Sequence, residues 1–562
     1  MDLSPISPRK LTAATAASKP APPPEAPAGP PGDSFQPGRQ EVKKPIEKAP
    51  RPAGTEGPAA ATPQAGSPGS SAELAEKLEG YVAKILSDPQ AEAEMIQMLA
   101  GLNASGQLRP VLQKVAEMAA QSGNLPPMPD QKRKEMADQL AGMIDAELRS
   151  HGMTPGTSGQ VYQNWETLSK EHLAQVQNSQ VPPRGPGSPS CFTEPAFVRE
   201  LEVLQGAPFR QGNRITPLID GPASFAERDR LIDGATRSIH LMSWAFYDDE
   251  TGWEAAHKLA AKHKEGVDVQ IVVDGQVAER SPHRETLKFL EEQGVKITRW
   301  RDGEHPYNGQ HRKVMIVDGK AAVAGGLNVG NFYSHKGPAE GPKWRDTDVL
   351  IEGPAVADCE RLFASVSGRE ENPQVPQPEG GARAAVVNHV PGADAHIMLA
   401  TLKAIEGASE SIDIENAYYI ETPGIKKALT DALARGVHVR ILTNSAQSVD
   451  EQIVTAPILR SLPALVSAGA EVYLKKGDTL HSKFLVVDGI YCSVGSYNLH
   501  PRSERYEGEM TVNTLDAQAA GALTRAFEKD IEKAEKVLSA DQVQVPENAL
   551  TMLVSRYFFD QL

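Results

Sequence analysis

The sequence predicts an α/β protein built from two homologous lobes in a pseudo-twofold arrangement, preceded by a disordered tail and a small helical region. Three observations support this fold class. An 18-residue strand–turn–strand pattern occurs at His311–Asn328 and again at His481–Asn498. Apolar strands alternate with amphipathic helices around both copies, as in layered α/β folds. The same elements precede each copy in the same order, so the second half repeats the first.

The length and charge of the chain limit the number of domains and the kinds of partner that it can have. At 562 residues it exceeds what one ordinary core supports, which favours a two-lobed unit with appendages. Its formal net charge of −15 counts against a broad basic surface that coats nucleic acid, although a local basic site is compatible with it. The three cysteines are far apart and lack metal-ligand spacing, so nothing calls for an oxidising compartment or a cysteine metal site.

Neither a membrane span nor a secretion signal is predicted. No window approaches the roughly 20 apolar residues that a spanning helix needs. Residues 1–20 are polar and interrupted by prolines, unlike the apolar centre of a signal peptide. We therefore expect a cytoplasmic or peripheral membrane protein, with signal-independent export left open.

Three segments precede the repeat. Residues 1–72 are rich in Pro, Ala, Gly and Ser and cannot bury enough apolar surface to offset their ordering entropy, so we expect a disordered tail, with binding of a protein partner or export as alternatives. Residues 73–180 show apolar stripes at helical spacing and predict a small bundle or a helical shoulder, although their methionines leave a membrane-binding or partner-binding surface as an alternative. Residues 181–212, which include VPPRGPGSPS, predict a linker.

The two lobes are predicted over residues 213–375 and 385–540, followed by a C-terminal extension over residues 541–562. Three pairs of segments align between the lobes by eye, and each half then runs into its own copy of the pattern. These pairs are 235–252 with 408–424, 265–275 with 435–445, and 291–300 with 466–475. A cleft at the pseudo-twofold interface would bring both copies together.

Both copies fit H-x-K-x4-D-x6-G-[GS]-x-N without a change of spacing. Residues alternate faces along a strand, so the histidine and the lysine of each copy project from the same face and suit an anion better than a core. One copy alone is compatible with an ordinary buried strand, whereas two copies with identical spacing are a specific signal. The matched positions are His311, Lys313, Asp318, Gly325, Gly326 and Asn328, and His481, Lys483, Asp488, Gly495, Ser496 and Asn498.

This duplicated motif resembles the signature of the phospholipase D superfamily, and the resemblance covers about residues 213–540. Three runs are similar to the bacterial cardiolipin synthase-like branch: GGLNVGNFY after the first motif, WRDTDVLIEGPAV at 344–356, and NLHPRSERYEGE at 498–509. The branch usually has an Asp after Asn-Leu, where this chain has His500. That departure leaves the exact substrate open.

The resemblance implies phosphodiester cleavage through a phosphohistidine intermediate. By the same resemblance His311 is the nucleophile and His481 the general acid and base, while the reversed assignment stays open because the motifs are nearly symmetric. The expected substrate is a phospholipid at a membrane surface, cleaved by hydrolysis or by transphosphatidylation. A nuclease of the same superfamily is the alternative, and only then would nucleic acid be a partner. A scaffold that merely keeps the fold is disfavoured, because every motif position is filled in both halves.

The lysines and asparagines of the motifs are expected to bind the phosphate. Lys313 and Lys483 would neutralise its equatorial oxygens, and Asn328 and Asn498 would donate hydrogen bonds to the same oxygens. The chemistry needs no cofactor. No cluster of carboxylates, histidines or cysteines in the sequence suggests a catalytic metal.

Four carboxylates have supporting roles. Asp318 and Asp488 are expected at strand-end Asp-Gly turns, and the superfamily resemblance gives this Asp a structural role beside the site. Glu509 occupies the place where relatives carry a carboxylate that orients the acid/base histidine, and its neighbour Glu507 is the alternative.

Overall fold

The structure is a computed structural model that describes residues 70–562, except for 83, 85–87, 124–128, 151–156, 306, 339–340, 370–371 and 546–548. The tail predicted over residues 1–72 therefore lies outside the described residues, apart from its last three positions. No described helix combines the length and the apolar character that crossing a bilayer requires.

Helices dominate the described residues between 70 and 177. Those that precede the linker segment are α1 (Ser71–Val82), α2 (Pro89–Ala104), α3 (Leu108–Gln121), α4 (Asp130–Ser150) and α5 (Thr157–Gln177). The stripe that predicts them is visible in α3, where Leu108, Val111, Leu112 and Val115 recur at intervals of three and four and are all buried. The helical region predicted from this periodicity is present.

Residues 181–212, predicted as a linker, are packed against the second half of the chain. They carry a 3-10 turn at Cys191–Thr193 and the helix α6 at Pro195–Leu204. Phe197 and Leu201 of this helix are buried in the core cluster that the second lobe builds around its own strands. The segment is therefore part of the folded unit that includes the second lobe, and it is not a free linker.

The first lobe alternates strands and helices. Its elements are β1 (Arg210–Ile219), α7 (Asp220–Gly234), β2 (Ser238–Ser243), α8 (Glu250–Lys264), β3 (Asp268–Asp274), α9 (Glu285–Glu292), β4 (Lys296–Trp300), β5 (Gly309–Gln310), β6 (Val314–Val317), β7 (Ala321–Gly325), α10 (Asn331–Ser334), β8 (Thr347–Glu352) and α11 (Val356–Ser367).

The second lobe repeats this order. Its elements are β9 (Ala382–His389), α12 (His396–Glu406), β10 (Ser411–Asn416), α13 (Pro423–Ala434), β11 (His438–Asn444), α14 (Thr455–Ser461), α15 (Pro463–Ser467), β12 (Glu471–Lys475), β13 (Lys483–Val487), β14 (Tyr491–Gly495), α16 (Pro501–Arg505), β15 (Glu507–Leu515), α17 (Ala517–Ile531), β16 (Ala534–Lys536) and α18 (Ala549–Tyr557).

One sheet runs through both lobes. Its strand order is β16-β12-β11-β10-β13-β14-β15-β9-β1-β8-β7-β6-β2-β3-β4. Read outward from the centre, β1-β8-β7-β6-β2-β3-β4 in the first lobe matches β9-β15-β14-β13-β10-β11-β12 in the second. The two halves join where β1 and β9 pair antiparallel. This order confirms the predicted fold class of two equivalent α/β lobes.

Two helices tie the lobes together through a shared core. Phe363 of α11 and Phe527 of α17 lie in one apolar cluster with Val314 of β6 and Val486 of β13. In the first lobe α11 follows β8, and in the second lobe α17 follows β15. Both motif strands therefore pack on the same core. Because such an interior is close-packed, a shift of one strand would displace the other.

The helical region covers one end of the second lobe. Its core includes Ile420, Val449 and Ile458 from the segments that follow β10 and β11, together with Leu553 of α18 and the C-terminal Leu562. The carboxyl ends of β10 and β11 lie at this edge of the sheet. The helices and the C-terminal segment therefore border the second lobe at the edge where β13 begins.

Candidate active site

Both motifs form hairpins that place the histidine just before one strand and the asparagine just after the next. The hairpins β6–β7 and β13–β14 turn at Asp318 and Asp488, with φ of 54° and 52°. The first copy also needs a glycine for close packing. A Cβ atom on Gly326 would lie 2.1 Å from Asp346 Oδ1. Only the absence of a side chain lets that carboxylate approach the strand.

The residues before each motif strand pair with the opposite lobe. In the first copy, the amide of His311 donates to the carbonyl of Gly508, at 2.9 Å. In the second, the amide of His481 donates to the carbonyl of Arg345 at 2.7 Å, and the amide of Arg345 donates to the carbonyl of Thr479 at 2.9 Å. Each histidine is therefore held by backbone from the other half of the chain.

Each imidazole also bonds to a carboxylate of the other lobe. His311 Nδ1 lies 3.0 Å from Glu509 Oε1, and His481 Nδ1 lies 2.7 Å from Asp346 Oδ2. The sheet pairs Gly325 with Asp348 and Gly495 with Thr511, so Asp346 and Glu509, each two residues earlier, occupy equivalent positions. A carboxylate at Nδ1 fixes the tautomer and leaves Nε2 for chemistry.

This geometry corrects one expectation. Glu509 is expected to orient the acid/base histidine, assigned as His481, but it bonds His311 instead. The residue that holds His481 is Asp346, which the sequence analysis did not identify. In the sequence Asp346 lies in the run WRDTD, but no fixed number of residues separates it from the motif histidine.

Glu509 is better placed than Glu507 to orient His311. Its two oxygens accept hydrogen bonds from the hydroxyls of Ser496 and Ser503. Glu507 Oε2 lies 3.7 Å from His311 Nδ1, while its other oxygen accepts from Arg502 Nε at 2.9 Å. Ligand atoms of His311, Glu507 and Glu509 lie within 4.8 Å of one another, a spacing that could hold a metal ion. The hydroxyl and guanidinium donors already on these carboxylates fit orientation of the imidazole better.

The two motif lysines are fully enclosed beside the histidines. Lys313 Nζ donates to the carbonyl of His311 at 2.6 Å, and Lys483 Nζ donates to the carbonyl of His481. Burial lowers the pKa of Lys313 to about 7 and that of Lys483 to about 8. Burial and the nearby lysines hold the pKa of both imidazoles well below the ordinary value. Four cationic or protonatable groups crowded in one buried place favour an anion between them.

The asparagines differ in their partners. Asn328 Nδ2 donates to the hydroxyl of Tyr333 at 2.9 Å, and its Oδ1 accepts from Ser243 Oγ and from the amide of Ala245 at 3.2 Å. Asn498 is buried, and its Oδ1 has no hydrogen-bond partner among the described residues. Donation from these amides to a phosphate remains a prediction.

Aromatic side chains that the sequence analysis did not assign to the site surround the imidazoles unequally. Trp244 meets His311 edge-on with ring centroids 5.9 Å apart. His481 has two such neighbours, Tyr333 edge-on at 5.2 Å and Trp344 stacked at 5.3 Å. His481 therefore has two aromatic neighbours and His311 has one, and an aromatic face can stabilise a cation.

Asp318 and Asp488 lie outside the group of side chains that face a substrate. Each follows its motif strand at the end opposite the histidine. Asp318 accepts from the amides of Thr236, Arg237 and Ser238, and Asp488 accepts in the same way from residues 409–411. This fits the structural role that the resemblance implies for them: their carboxylates anchor the start of β2 and β10.

Asp318→Asn is expected to destabilise the fold without slowing chemistry. Removing the charge from a buried acceptor of several amides costs about 2 to 4 kcal/mol of unfolding free energy. Burial opposes ionisation, but the amide donors outweigh it and lower the pKa of Asp318. Its contribution is therefore complete at neutral pH and is lost as the pH falls below about 4. Urea unfolding at pH 7 and pH 3 should show the difference from wild type shrinking.

The matched control is Asp431→Asn, since Asp431 forms a solvent-exposed ion pair with Lys427 on α13. It should change stability by less than about 0.5 kcal/mol. A drop in kcat for Asp318→Asn at unchanged fold content would show that Asp318 takes part in catalysis after all.

Comparison with known proteins gives one consistent result. A family model described as "Cardiolipin synthase, PLD-like domain" matches residues 229–334 and 401–531, one segment in each lobe. The chain is 31% identical over 351 residues to cardiolipin synthase A of Pseudomonas fluorescens, which covers 60% of this chain and 71% of that protein. It is 28% identical over 342 residues to a probable cardiolipin synthase of Bacillus subtilis, with 58% and 67% covered.

A solved structure shares the fold. It is the phosphatidylserine synthase of Haemophilus influenzae, with a TM-score of 0.52 at 14% identity. The match covers 64% of this chain and 97% of the other.

Proposed function

This chain belongs to the phospholipase D superfamily, in its cardiolipin synthase-like group, and from this premise we propose that it transfers phosphatidyl groups between alcohols at a membrane surface. The observation that carries the proposal is the crossed arrangement of two histidines, each bonded at Nδ1 by a carboxylate of the other lobe. Two buried lysines beside them supply charge for one phosphodiester. That set serves a two-step displacement at phosphorus.

In the first step His311 Nε2 attacks phosphorus, and the bond from phosphorus to the leaving alcohol oxygen breaks. His481, as imidazolium, gives its Nε2 proton to that oxygen. The product is a phosphatidyl–histidine and a free alcohol. In the second step His481 takes the proton of an entering alcohol, whose oxygen attacks phosphorus and breaks the nitrogen–phosphorus bond.

The unequal surroundings of the two imidazoles support this assignment. His481 must carry a positive charge in the first step, and it has two aromatic neighbours and the shorter carboxylate contact. Burial and the neighbouring lysines lower the pKa of both imidazoles, so it is the contacts of His481 that support the assignment. The reversed assignment would need the imidazolium on the side with fewer aromatic contacts.

The named relatives favour a second lipid alcohol over water as the acceptor. Two phosphatidylglycerol molecules would then give cardiolipin and glycerol, whereas attack by water would give phosphatidic acid. Reaching these lipids requires peripheral attachment to a bilayer.

The product of purified protein on metal-free vesicles of phosphatidylglycerol and phosphatidylethanolamine tests the proposal. We expect cardiolipin as the main new lipid, identified by mass spectrometry, and none with His311→Ala. Phosphatidic acid as the main product would make the protein a hydrolase and contradict the transfer proposal. A plasmid incubated in the same buffer tests the nuclease alternative: cutting by wild type but not by the variant, without new lipid, would replace the lipid proposal.

A further inference from the structure

A carboxylate outside both motifs is held by a tyrosine beside the second motif. Asp450 lies in the segment after β11, and both of its oxygens are 2.8 Å from the hydroxyl of Tyr418. Tyr418 follows Ala417, whose amide donates at 3.0 Å to the carbonyl of Ser482, the residue between His481 and Lys483. Tyr418 therefore lies between the Asp450 carboxylate and the second motif in this series of hydrogen bonds.

The tyrosine itself is fixed by the site. Its ring stacks on the imidazole of His500, with centroids 5.9 Å apart and planes 17° apart. His500 Nδ1 accepts a hydrogen bond from the amide of Ser503 at 3.0 Å, which locks the imidazole. The position of Asp450 is therefore defined from the side of the second motif.

The helical region fixes the same segment from the other side. Lys132 Nζ of α4 donates to the carbonyl of Val449 at 2.9 Å, and Gln139 Nε2 of α4 donates to Glu451 Oε2 at 2.6 Å. Val449 is itself buried in the core of the helical region. The residues on both sides of Asp450 are thus tied to α4, while its own side chain turns to Tyr418.

The charge of Asp450 reaches the reacting groups. Burial and Lys483 lower the pKa of His481, and Asp450 acts in the opposite direction. It acts in the same way on Lys483, whose pKa is lowered mainly by burial. Asp450 is half-buried, and within the described part of the chain no cationic side chain forms an ion pair with it. Among the described side chains, its hydrogen-bond donor is the neutral hydroxyl of Tyr418.

A negative group at this place is poorly suited to bind phosphate and well suited to bind the alcohol. The leaving and entering alcohols occupy the side of phosphorus that faces His481, because this residue exchanges a proton with their oxygen. A carboxylate there repels the phosphate anion and accepts strong hydrogen bonds from O–H or N–H groups.

We propose that Asp450 is a specificity residue that binds the hydrogen-bond donors an alcohol carries beyond its reacting oxygen. It selects polyols and amino alcohols over simple alcohols and water. The inference rests on the proposed phosphatidyl transfer with His481 as acid and base. Two sources of such donors in a bilayer are the further hydroxyl of a glycerol headgroup and the ammonium of an ethanolamine headgroup.

A comparison of transfer rates to three soluble acceptor alcohols tests the inference. Wild type, Asp450→Asn and the surface control Asp431→Asn receive the same phosphatidylcholine vesicles with equal concentrations of glycerol, ethanolamine or ethanol. Asp450→Asn should lose about five- to thirtyfold in kcat/KM for glycerol, ethanolamine or both, while transfer to ethanol and release of phosphatidic acid change less than about twofold. The acceptor that loses more identifies the headgroup that Asp450 binds.

Two results would overturn the inference: an equal loss for all three alcohols and water, or no loss for any of them. Wild type that transfers to no acceptor and also forms no cardiolipin from phosphatidylglycerol would instead overturn the proposed function itself. If Asp450→Asn does not fold, Tyr418→Phe carries the test. It keeps the charge but removes the hydroxyl that holds it, so it should weaken the preference for glycerol or ethanolamine over ethanol. An unchanged preference in that variant would contradict the role given to Asp450.

Discussion

His311→Ala is expected to lower the rate of phosphatidyl transfer by at least ~10⁴-fold, because it removes the nitrogen that forms the covalent intermediate. His481→Ala should lower it by about 10² to 10⁴-fold with an ordinary lipid donor, because a poor leaving alkoxide must then depart without a proton. The two losses are distinguishable with a second donor. A 4-nitrophenyl phosphodiester has a leaving group that needs no protonation.

With the nitrophenyl donor, release of nitrophenolate by His481→Ala should approach that of wild type in the first turnover, and a phosphorylated protein should accumulate. His311→Ala should release none. The control is His305→Ala, since this histidine lies near the first motif but has an exposed side chain. The opposite pattern, with the nitrophenyl donor rescuing His311→Ala, would exchange the roles of the two histidines.

Asp346→Asn is expected to reduce kcat by about 10² to 10⁴-fold with a lipid donor. Asp346 accepts from His481 Nδ1 at 2.7 Å and is completely buried. An amide at this place neither fixes the productive tautomer nor stabilises the imidazolium. The variant keeps the shape of the side chain, so the loss should appear in kcat more than in KM.

Glu509→Gln is the matched comparison, since Glu509 occupies the equivalent position against His311. Its loss should be similar with lipid and with nitrophenyl donors, because it affects the nucleophile. The loss from Asp346→Asn should shrink with the nitrophenyl donor. Equal losses for both donors in the Asp346 variant, with an unchanged thermal unfolding midpoint, would show that Asp346 does not act through the acid.

Much of this architecture can be predicted from the sequence because the two motifs report on local structure. The alternation around His311 and His481 depends only on strand periodicity, and the turns at Asp318 and Asp488 depend only on the Asp-Gly pairs. These local signals give the hairpins, the lobes and the histidine–lysine pairs without knowledge of tertiary contacts.

What could not be predicted depends on contacts between the lobes. Glu509 follows Asn498 by 11 residues, whereas Asp346 follows Asn328 by 18, because the segments between them differ in length. A fixed spacing therefore finds one carboxylate and misses its counterpart. Even a known pair does not reveal which histidine each one holds, since the crossing follows from strand pairing between lobes. The place of the helical region beside Asp450 likewise follows only from packing.

Each histidine is held by backbone and a carboxylate of the other lobe, and this arrangement affects how the two lobes can diverge in sequence. Two identical copies of one lobe, associated as a homodimer, would give both imidazoles the same neighbours. Joining the copies in one chain removes that constraint. Asp346 then stands on one side and Glu509 on the other, and Gly326 in the first motif corresponds to Ser496 in the second. Each half can then specialise. One half adapts to the phosphatidyl group that is bound to the protein, and the other adapts to the alcohols that leave and enter. Neither half, separated from its neighbour, would hold a complete set of catalytic groups.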